Sequence, residues 1–547
     1  MTEGGAGAAD PEAQALIDAW LGEEIEESPT RASALGIEGH DEELGEFGEA
    51  AFVRRAASAR HWAETLRGVD GRALSRERAV DRDLVLSALA GRVAMEDWEA
   101  WRRDPAVYLD PCLGGVHVLF VHRLRPMAER AAAAASRLGQ VPAALDAARR
   151  QLDPTLVNDV IRDRAVGQCA AAGVYVRDLL PGEIPPGPDR DAVADVGAVA
   201  AAAFEGLAAH LTDMRPTGTY AIGEQRYSAL LRDRELLGYG AAGLRDRGRA
   251  AWDELDGRMT EVARRLGHDR WRDALDAVQD RHPATPEEML RGYTAMTERC
   301  RAFLVERDLV TIPEGESVSV EPSPPYQRPV LAVASYLAPP PFRPGRLGHF
   351  FVPFPPDGVG AEQLRQRLAT NSYAAMATIS AHEAYPGHHW HLVWSQENAP
   401  PVRSVVRTPY FSEGWALFAE QIMAEAGFFA DDAEMLSYLD ARIFRAARIV
   451  VDTGLHCGDM TVEEAVTHLV GHTGLSEATA RAEVTRYCAW PTQSASYLTG
   501  ALELDRMRTR YVGEGRGDGR RFNDEVAATG SLPLGLAERC LLPAAAA

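Results

Sequence analysis

The sequence predicts a mainly α-helical fold, with many helices in two lobes around a deep cleft and a small β edge near a metal site. Three observations predict it. At 547 residues and 46% hydrophobic content, the chain can bury a large core but is long for one domain. Its first three hundred residues read as successive amphipathic helices separated by polar breaks. Residues 382–391, His-Glu-Ala-Tyr-Pro-Gly-His-His-Trp-His, then gather four of the fifteen histidines beside a glutamate at the end of an apolar-striped helix. The expected division is an N-terminal helical lobe over 1–310 and a metal-binding lobe over 311–547, together forming one continuous globular unit.

Among the early helices, the clearest run over 11–24, 126–138 and 193–211. Pro126 suits a first helical position, where a missing backbone donor costs nothing. The alanine runs 131–135 and 200–203 read as helix, since alanine is the best helix former. Breaks are expected at 110–115, which opens with Asp110-Pro111, and at 181–188. His117 and His122 flank an apolar run without acidic or cysteine partners at ligand spacing, and are expected in the core or on a cleft wall. No fixed-period repeat is present.

Residues 312–358 are proline-rich, yet 330–337 and 349–354 are short, apolar and β-prone. A strand around His349 to Val352 would offer an edge to which an extended peptide adds as a further strand. The alternative is a loop that packs under the active-site helix.

The histidine cluster opens like a zincin helix, in which a His-Glu pair supplies one zinc ligand and the general base. It then departs, because the position four after His382 is Pro386. On a straight helix His382 and His388 would be roughly 9 Å apart along the axis. Two nitrogens that each sit roughly 2.1 Å from one zinc must be far closer. Pro386 removes a backbone donor and crowds the preceding turn, and Gly387 accepts almost any backbone angle. Pro-Gly is therefore a hinge able to fold His388 back towards His382. His389 and His391 are left for contacts to the ligands or substrate, with His389 an alternative second ligand. The plainer alternative is a histidine-rich surface turn. The preceding helix is expected to be capped by Asn371 and to carry Tyr373, Met376, Ile379 and His382 as one inward stripe. A buried histidine beside Glu383 is costly unless something pairs with both.

Residues 409–425 predict a second helix, capped by Ser412, with Trp415, Leu417, Phe418 and Ile422 for packing. Glu413 and Glu420, seven apart, share one face. In a two-His-one-Glu zinc site a glutamate from a following helix is the third ligand. Glu413 suits that role, and Glu420 could orient a ligating histidine through its second ring nitrogen. Taken alone, Glu413 reads as an acid favoured in a first helical turn.

These segments resemble the large bacterial family known as domain of unknown function 885. Agreement extends to Ser28-Pro29-Thr30 with Leu35-Gly36, and to Arg343-Pro344-Gly345 before Phe350-Phe351-Val352. It continues through Val451 to His456 and Pro491-Thr492-Gln493 with Tyr497 and Gly500, and so spans nearly the whole chain. The resemblance implies a mainly helical, zincin-like metallopeptidase. His382, His388 and Glu413 would hold the metal and Glu383 would activate its water. Zinc, about one per chain, is the preferred ion, although manganese, iron or cobalt would suit similar donors. His456, beside an expected helix break at Thr453-Gly454, or Tyr497 would donate to the oxyanion. Arg445 and Arg448 share a face with Asp452, and either suits a two-pronged clamp on a substrate carboxylate. The alternative for them is an Arg448–Asp452 salt bridge. The expected reaction is hydrolysis of short peptides. Two other readings are cleavage of a non-peptide amide or C–N bond in a small metabolite, and a zincin-like scaffold that binds without catalysis.

Eighty acidic against 58 basic residues give a net charge of −22. That disfavours nucleic acid and anionic membranes, both of which demand a basic footprint. Six scattered cysteines without a Cys-x-x-Cys pair fit a reduced compartment and argue against a cysteine metal site. The N-terminus lacks a basic region followed by an apolar run, and no stretch is expected to span a bilayer. These features predict a cytoplasmic protein, and they leave oligomeric state open.

Overall fold

The structure, a computed structural model, describes residues 9–324, 328, 333–356 and 358–542. Helix accounts for 71% and strand for 3%, so the fold is mainly α, with one three-stranded sheet among the described residues. The chain folds as two compact units, Met1–Ile222 with Pro340–Gly345, and Gly223–Pro339 with Arg346–Ala547. The division therefore falls at Ile222/Gly223 and not at 310/311. Packing explains the difference. The Ala241–Arg265 helix lies along the Asp432–Cys457 helix, and the Pro286–Arg307 helix packs on the Tyr373–Glu383 helix, so both join the C-terminal residues.

In the first unit the early helices run over Asp10–Glu27, Met127–Gln151 and Pro188–Asp213, each longer than its apolar pattern suggested. The alanine runs lie inside the last two. Pro126 stands at the cap, one residue before its helix. The break at 181–188 is present, as a 3-10 turn at Leu180–Glu183 ahead of Pro188. The break expected at 110–115 is absent. Ala106–Val121 is one helix with Pro111 inside it, near enough to the start that only one early backbone bond is lost. The Pro188–Asp213 helix is also long and apolar enough to cross a membrane, with mean hydropathy 1.5, where no such stretch was expected. Its apolar residues Val193, Gly197, Ala200, Phe204, Leu207 and Leu211 recur at three- and four-residue spacing. They are buried, and by this face the helix packs on Met127–Gln151 and Asp159–Val174, while only 33% of its apolar window is buried. His117 lies in the same unit, edge-on to Tyr175, and burial lowers its pKa to about 4.

In the second unit the proline-rich segment forms β1 (Ser317–Pro322), β2 (Ser335–Leu337) and β3 (Leu347–Val352), in the order β1–β3–β2. The strand expected over 330–337 falls partly outside the described residues, at 330–332. β3 pairs in parallel with β1 and antiparallel with β2. The expected peptide-binding edge at His349 to Val352 is therefore contradicted: β3 is central, paired on both flanks over 349–351 and with β1 at Val352. Phe350, Phe351 and Val352 are buried beneath the helices.

Candidate metal centre

Ser372, not Asn371, caps the Tyr373–Glu383 helix, its hydroxyl accepting from Ala375 N. The Asn371 side chain is already committed, accepting from Tyr293 Oη at 2.6 Å and donating to Arg367 O. Of the expected stripe, Met376 and His382 are buried and Ile379 partly so, whereas Tyr373 is exposed and bonded to Glu288. The helix ends at Glu383, and a new one begins at His388. Between them the Tyr385–Pro386 peptide is cis, and Gly387 passes so close to the last turn that a Cβ would lie 1.8 Å from His382 O. Only glycine fits there. Trp415 Nε1 holds the hinge by donating to Pro386 O at 2.8 Å. The result is a doubling back: the His382 and His388 rings stand 4.9 Å apart, at 89°.

Glu413 enters from the Pro409–Glu425 helix, which is capped by Thr408 rather than Ser412. Ser412 lies within the helix, its hydroxyl donating to Thr408 O. This helix meets Ser496–Gly513 at two glycines; a Cβ on Gly414 would sit 2.5 Å from Gly500 Cα. That close approach sets the depth of both Glu413 and Tyr497.

Ligand atoms of His382, His388 and Glu413 all lie within 4.8 Å of one another. Glu413 Oε2 is 3.4 Å from His388 Nε2 and 3.6 Å from His382 Nε2. These separations exceed the 2.9–3.0 Å typical of an N–H···O bond. They are close to the about 3.4 Å expected between two donors each about 2.1 Å from a tetrahedral ion. On the far side, His382 Nδ1 donates to Glu420 Oε1 at 2.7 Å, and Thr378 Oγ1 donates to Glu420 Oε2 at 2.8 Å. Glu420 thereby turns His382 Nε2 towards Glu413. Burial works against the imidazolium of His382, yet Glu413 and Glu420 outweigh it and raise the pKa to about 10. Burial likewise works against the Glu413 carboxylate, but His388 and His382 hold it well below the ordinary range. The cluster thus favours positive charge between two rings and a carboxylate, carried either by the His382 imidazolium or by a bound cation.

Glu383 adjoins the cluster. Its carboxylate has no hydrogen-bond partner among the described residues and is only partly covered. Burial raises its pKa, with His382 and His388 opposing.

A family model described as a bacterial protein of unknown function, DUF885, matches residues 29–541. The chain belongs to this family. A Shewanella oneidensis protein described as a "putative lipoprotein of unknown function" superposes with a TM-score of 0.80 at 21% identity, covering 96% of this chain and 99% of its own. A Colwellia psychrerythraea "putative lipoprotein" gives a TM-score of 0.81 at 18% identity, covering 97% and 98%. At such identities the likeness establishes a shared fold. No curated protein matches the sequence.

In this DUF885 chain the remaining sequence candidates part company. His389 faces away from Glu413, its Nε2 donating to Glu316 Oε2 at 2.8 Å. His391 is fully buried against Phe411 and Trp415, with neither ring nitrogen hydrogen-bonded among the described residues. Tyr497 lies under the guanidinium of Arg448 at 4.9 Å and of Arg445 at 5.8 Å. Burial, then the charge of Glu413, raises its pKa. Arg448 is spoken for, donating to Tyr487 Oη and Glu483 Oε2 at 2.8 Å each. This replaces the expected pairing with Asp452, which instead accepts from Tyr227, Ser494 and Thr492 N. Arg445 has a buried Nε without a partner. His456 does not stand beside a helix break: Asp432–Cys457 is continuous. It is fully buried, and its Nε2 donates to Tyr487 O at 2.9 Å, so it is committed to packing rather than to an oxyanion. Glu316, Tyr336 and Tyr385, which surround His389, carried no expectation from the sequence.

Proposed function

We propose that the protein is a zincin-like, metal-dependent hydrolase of short peptides. One observation carries this reading: two histidines and a glutamate from three helices converge within 4.8 Å of one another, beside a glutamate whose carboxylate has no hydrogen-bond partner among the described residues. Zinc held by His382, His388 and Glu413 would supply a Lewis acid that polarises a carbonyl and acidifies water to a pKa of about 7. Glu383 takes a proton from the attacking water and passes it to the leaving amine, and its raised pKa suits both transfers. Glu420 keeps His382 oriented. The Tyr497 hydroxyl, which has no hydrogen bond among the described residues, donates to the oxyanion. Arg445, with guanidinium donors to spare, binds a substrate carboxylate. That last role favours peptides with a free carboxyl end.

Six scattered cysteines without a Cys-x-x-Cys pair support a cytoplasmic setting, and fractionation of the native host checks it. The mechanism is tested with Glu383→Gln on a peptide library. Turnover should fall about 10²–10⁴-fold with zinc content unchanged. Undiminished turnover would remove Glu383 from the mechanism. Wild-type activity confined to non-peptide amides would move the substrate class and leave the centre in place.

A further inference from the structure

The centre depends on the hinge at 385–387, and a second buried cluster grips both sides of that hinge. Glu316, the residue before β1, has a side chain only 2% exposed. Its Oε2 accepts from Tyr385 Oη at 2.5 Å and from His389 Nε2 at 2.8 Å, and its Oε1 accepts from Arg301 Nε at 2.9 Å. Tyr336 on β2 donates its hydroxyl to His389 Nδ1 at 2.9 Å. A carboxylate at one ring nitrogen and a hydroxyl donor at the other fix both the tautomer and the ring plane of His389. Gly348 on β3 makes the room: a Cβ there would lie 2.1 Å from Tyr336 Oη and 2.7 Å from His389 Nδ1. Burial raises a carboxylate's pKa, but these three donors outweigh it and hold Glu316 at about 2. Tyr385 opens the hinge and His389 directly follows His388. One carboxylate therefore ties together the two chain segments whose angle decides where His388 points.

We propose that Glu316 is a positioning residue for the metal centre: by holding Tyr385 and His389 it fixes the hinge angle that brings His388 to His382 and Glu413. The inference rests on the metal reading above. It also gives the small sheet a task, which is to anchor the hinge from below rather than to present an edge to a peptide.

The test compares wild type, Glu316→Gln and Glu316→Ala. Zinc affinity is read by competition with a chromophoric chelator, and coordination geometry by the visible spectrum of the cobalt-substituted protein. Glutamine keeps the volume but cannot accept from all three donors, so zinc should bind about tenfold more weakly. Alanine should weaken it about 100-fold. Both should alter the cobalt spectrum while far-UV circular dichroism stays as in wild type. Wild-type zinc affinity and cobalt spectrum in both variants, even with lower melting temperatures, would reduce Glu316 to a support of the fold and overturn the proposal. Should either variant fail to fold, Tyr336→Phe removes only the hydroxyl that orients His389. It should shift the cobalt spectrum and weaken zinc in the same direction, and no change in either overturns the proposal. A wild type that binds neither zinc nor cobalt sinks the metal reading and this inference together, whereas a metal-binding wild type with unperturbed variants sinks only the role of Glu316.

Discussion

Residues 382–391 and 448–456 look alike as sequence, since each places histidine and charged side chains on helix in the C-terminal half of the chain. In three dimensions they differ in how their polar atoms are answered. Across 448–456 the charged side chains are answered by protein partners. Arg448 meets Glu483 and Tyr487, Asp452 takes three donors, and His456 donates to a carbonyl. Around His382 the matching stops at the inner shell. Glu420 satisfies Nδ1, but Nε2 of His382 and of His388 face a carboxylate at 3.6 and 3.4 Å. A satisfied buried network rigidifies a core. Ring nitrogens and a carboxylate held at these separations, longer than a good hydrogen bond, leave the place that the proposed metal would take. The number of histidines distinguishes the two regions less well than what each histidine finds.

The change that would break this comparison outright is His388→Ala. Bound zinc, measured by mass spectrometry on protein purified without chelator, should fall from about one per chain to a small fraction of that. Peptide turnover should fall with it, while helix content stays constant. If His388→Ala keeps its zinc and His389→Ala loses it, the roles of the two neighbours are exchanged. If neither variant matters, the gap is not a metal site.

Arg448→Met probes the other region and should have the opposite profile. Glu483 keeps its bonds from Arg486 and Tyr487, so losing the Arg448 donor costs on the order of 1.5–3 kcal/mol. Urea unfolding should show that loss with zinc stoichiometry unchanged. A variant of wild-type stability that fails to hold zinc would place Arg448 in the functional half of the comparison.

How far the sequence discloses these differences depends on the range of the interactions. The hinge is legible because Pro386 and Gly387 act on their own backbone, and the helices because three- and four-residue spacing repeats locally. Caps are read less well. Asn371 and Ser372 are both capable, and the choice falls to Ser372 because Tyr293, seventy-eight residues away, takes the Asn371 side chain. The Thr453-Gly454 pair resembles a break, yet Thr453 Oγ1 bonds back to Ile449 O and the helix continues. β3 has the composition of any short apolar strand, and nothing local tells a central strand from an edge. Glu316 is silent for the same reason, since its partners Tyr385 and His389 lie 69 and 73 residues on.

The smallest predicted effect sharpens the comparison through pH. Burial raises the Glu483 carboxyl, but Arg448 and Arg486, with hydrogen bonds from Arg486 and Tyr487, bring it from an ordinary 4.5 down to about 2. A carboxylate with a depressed folded-state pKa adds stability that is present above its unfolded value and is lost as pH falls towards the folded one. The stability gap between wild type and Glu483→Gln, from urea unfolding, should be on the order of 1–3 kcal/mol at neutral pH. It should hold steady down to about pH 5 and close between about 4.5 and 2. Acid also strips metal from histidine ligands, so both proteins are measured in chelator. The closing gap then belongs to the satisfied network alone. A gap as wide at pH 3 as at pH 7 would mean that Glu483 acts through shape rather than charge, and that Arg448 is held mainly by Tyr487.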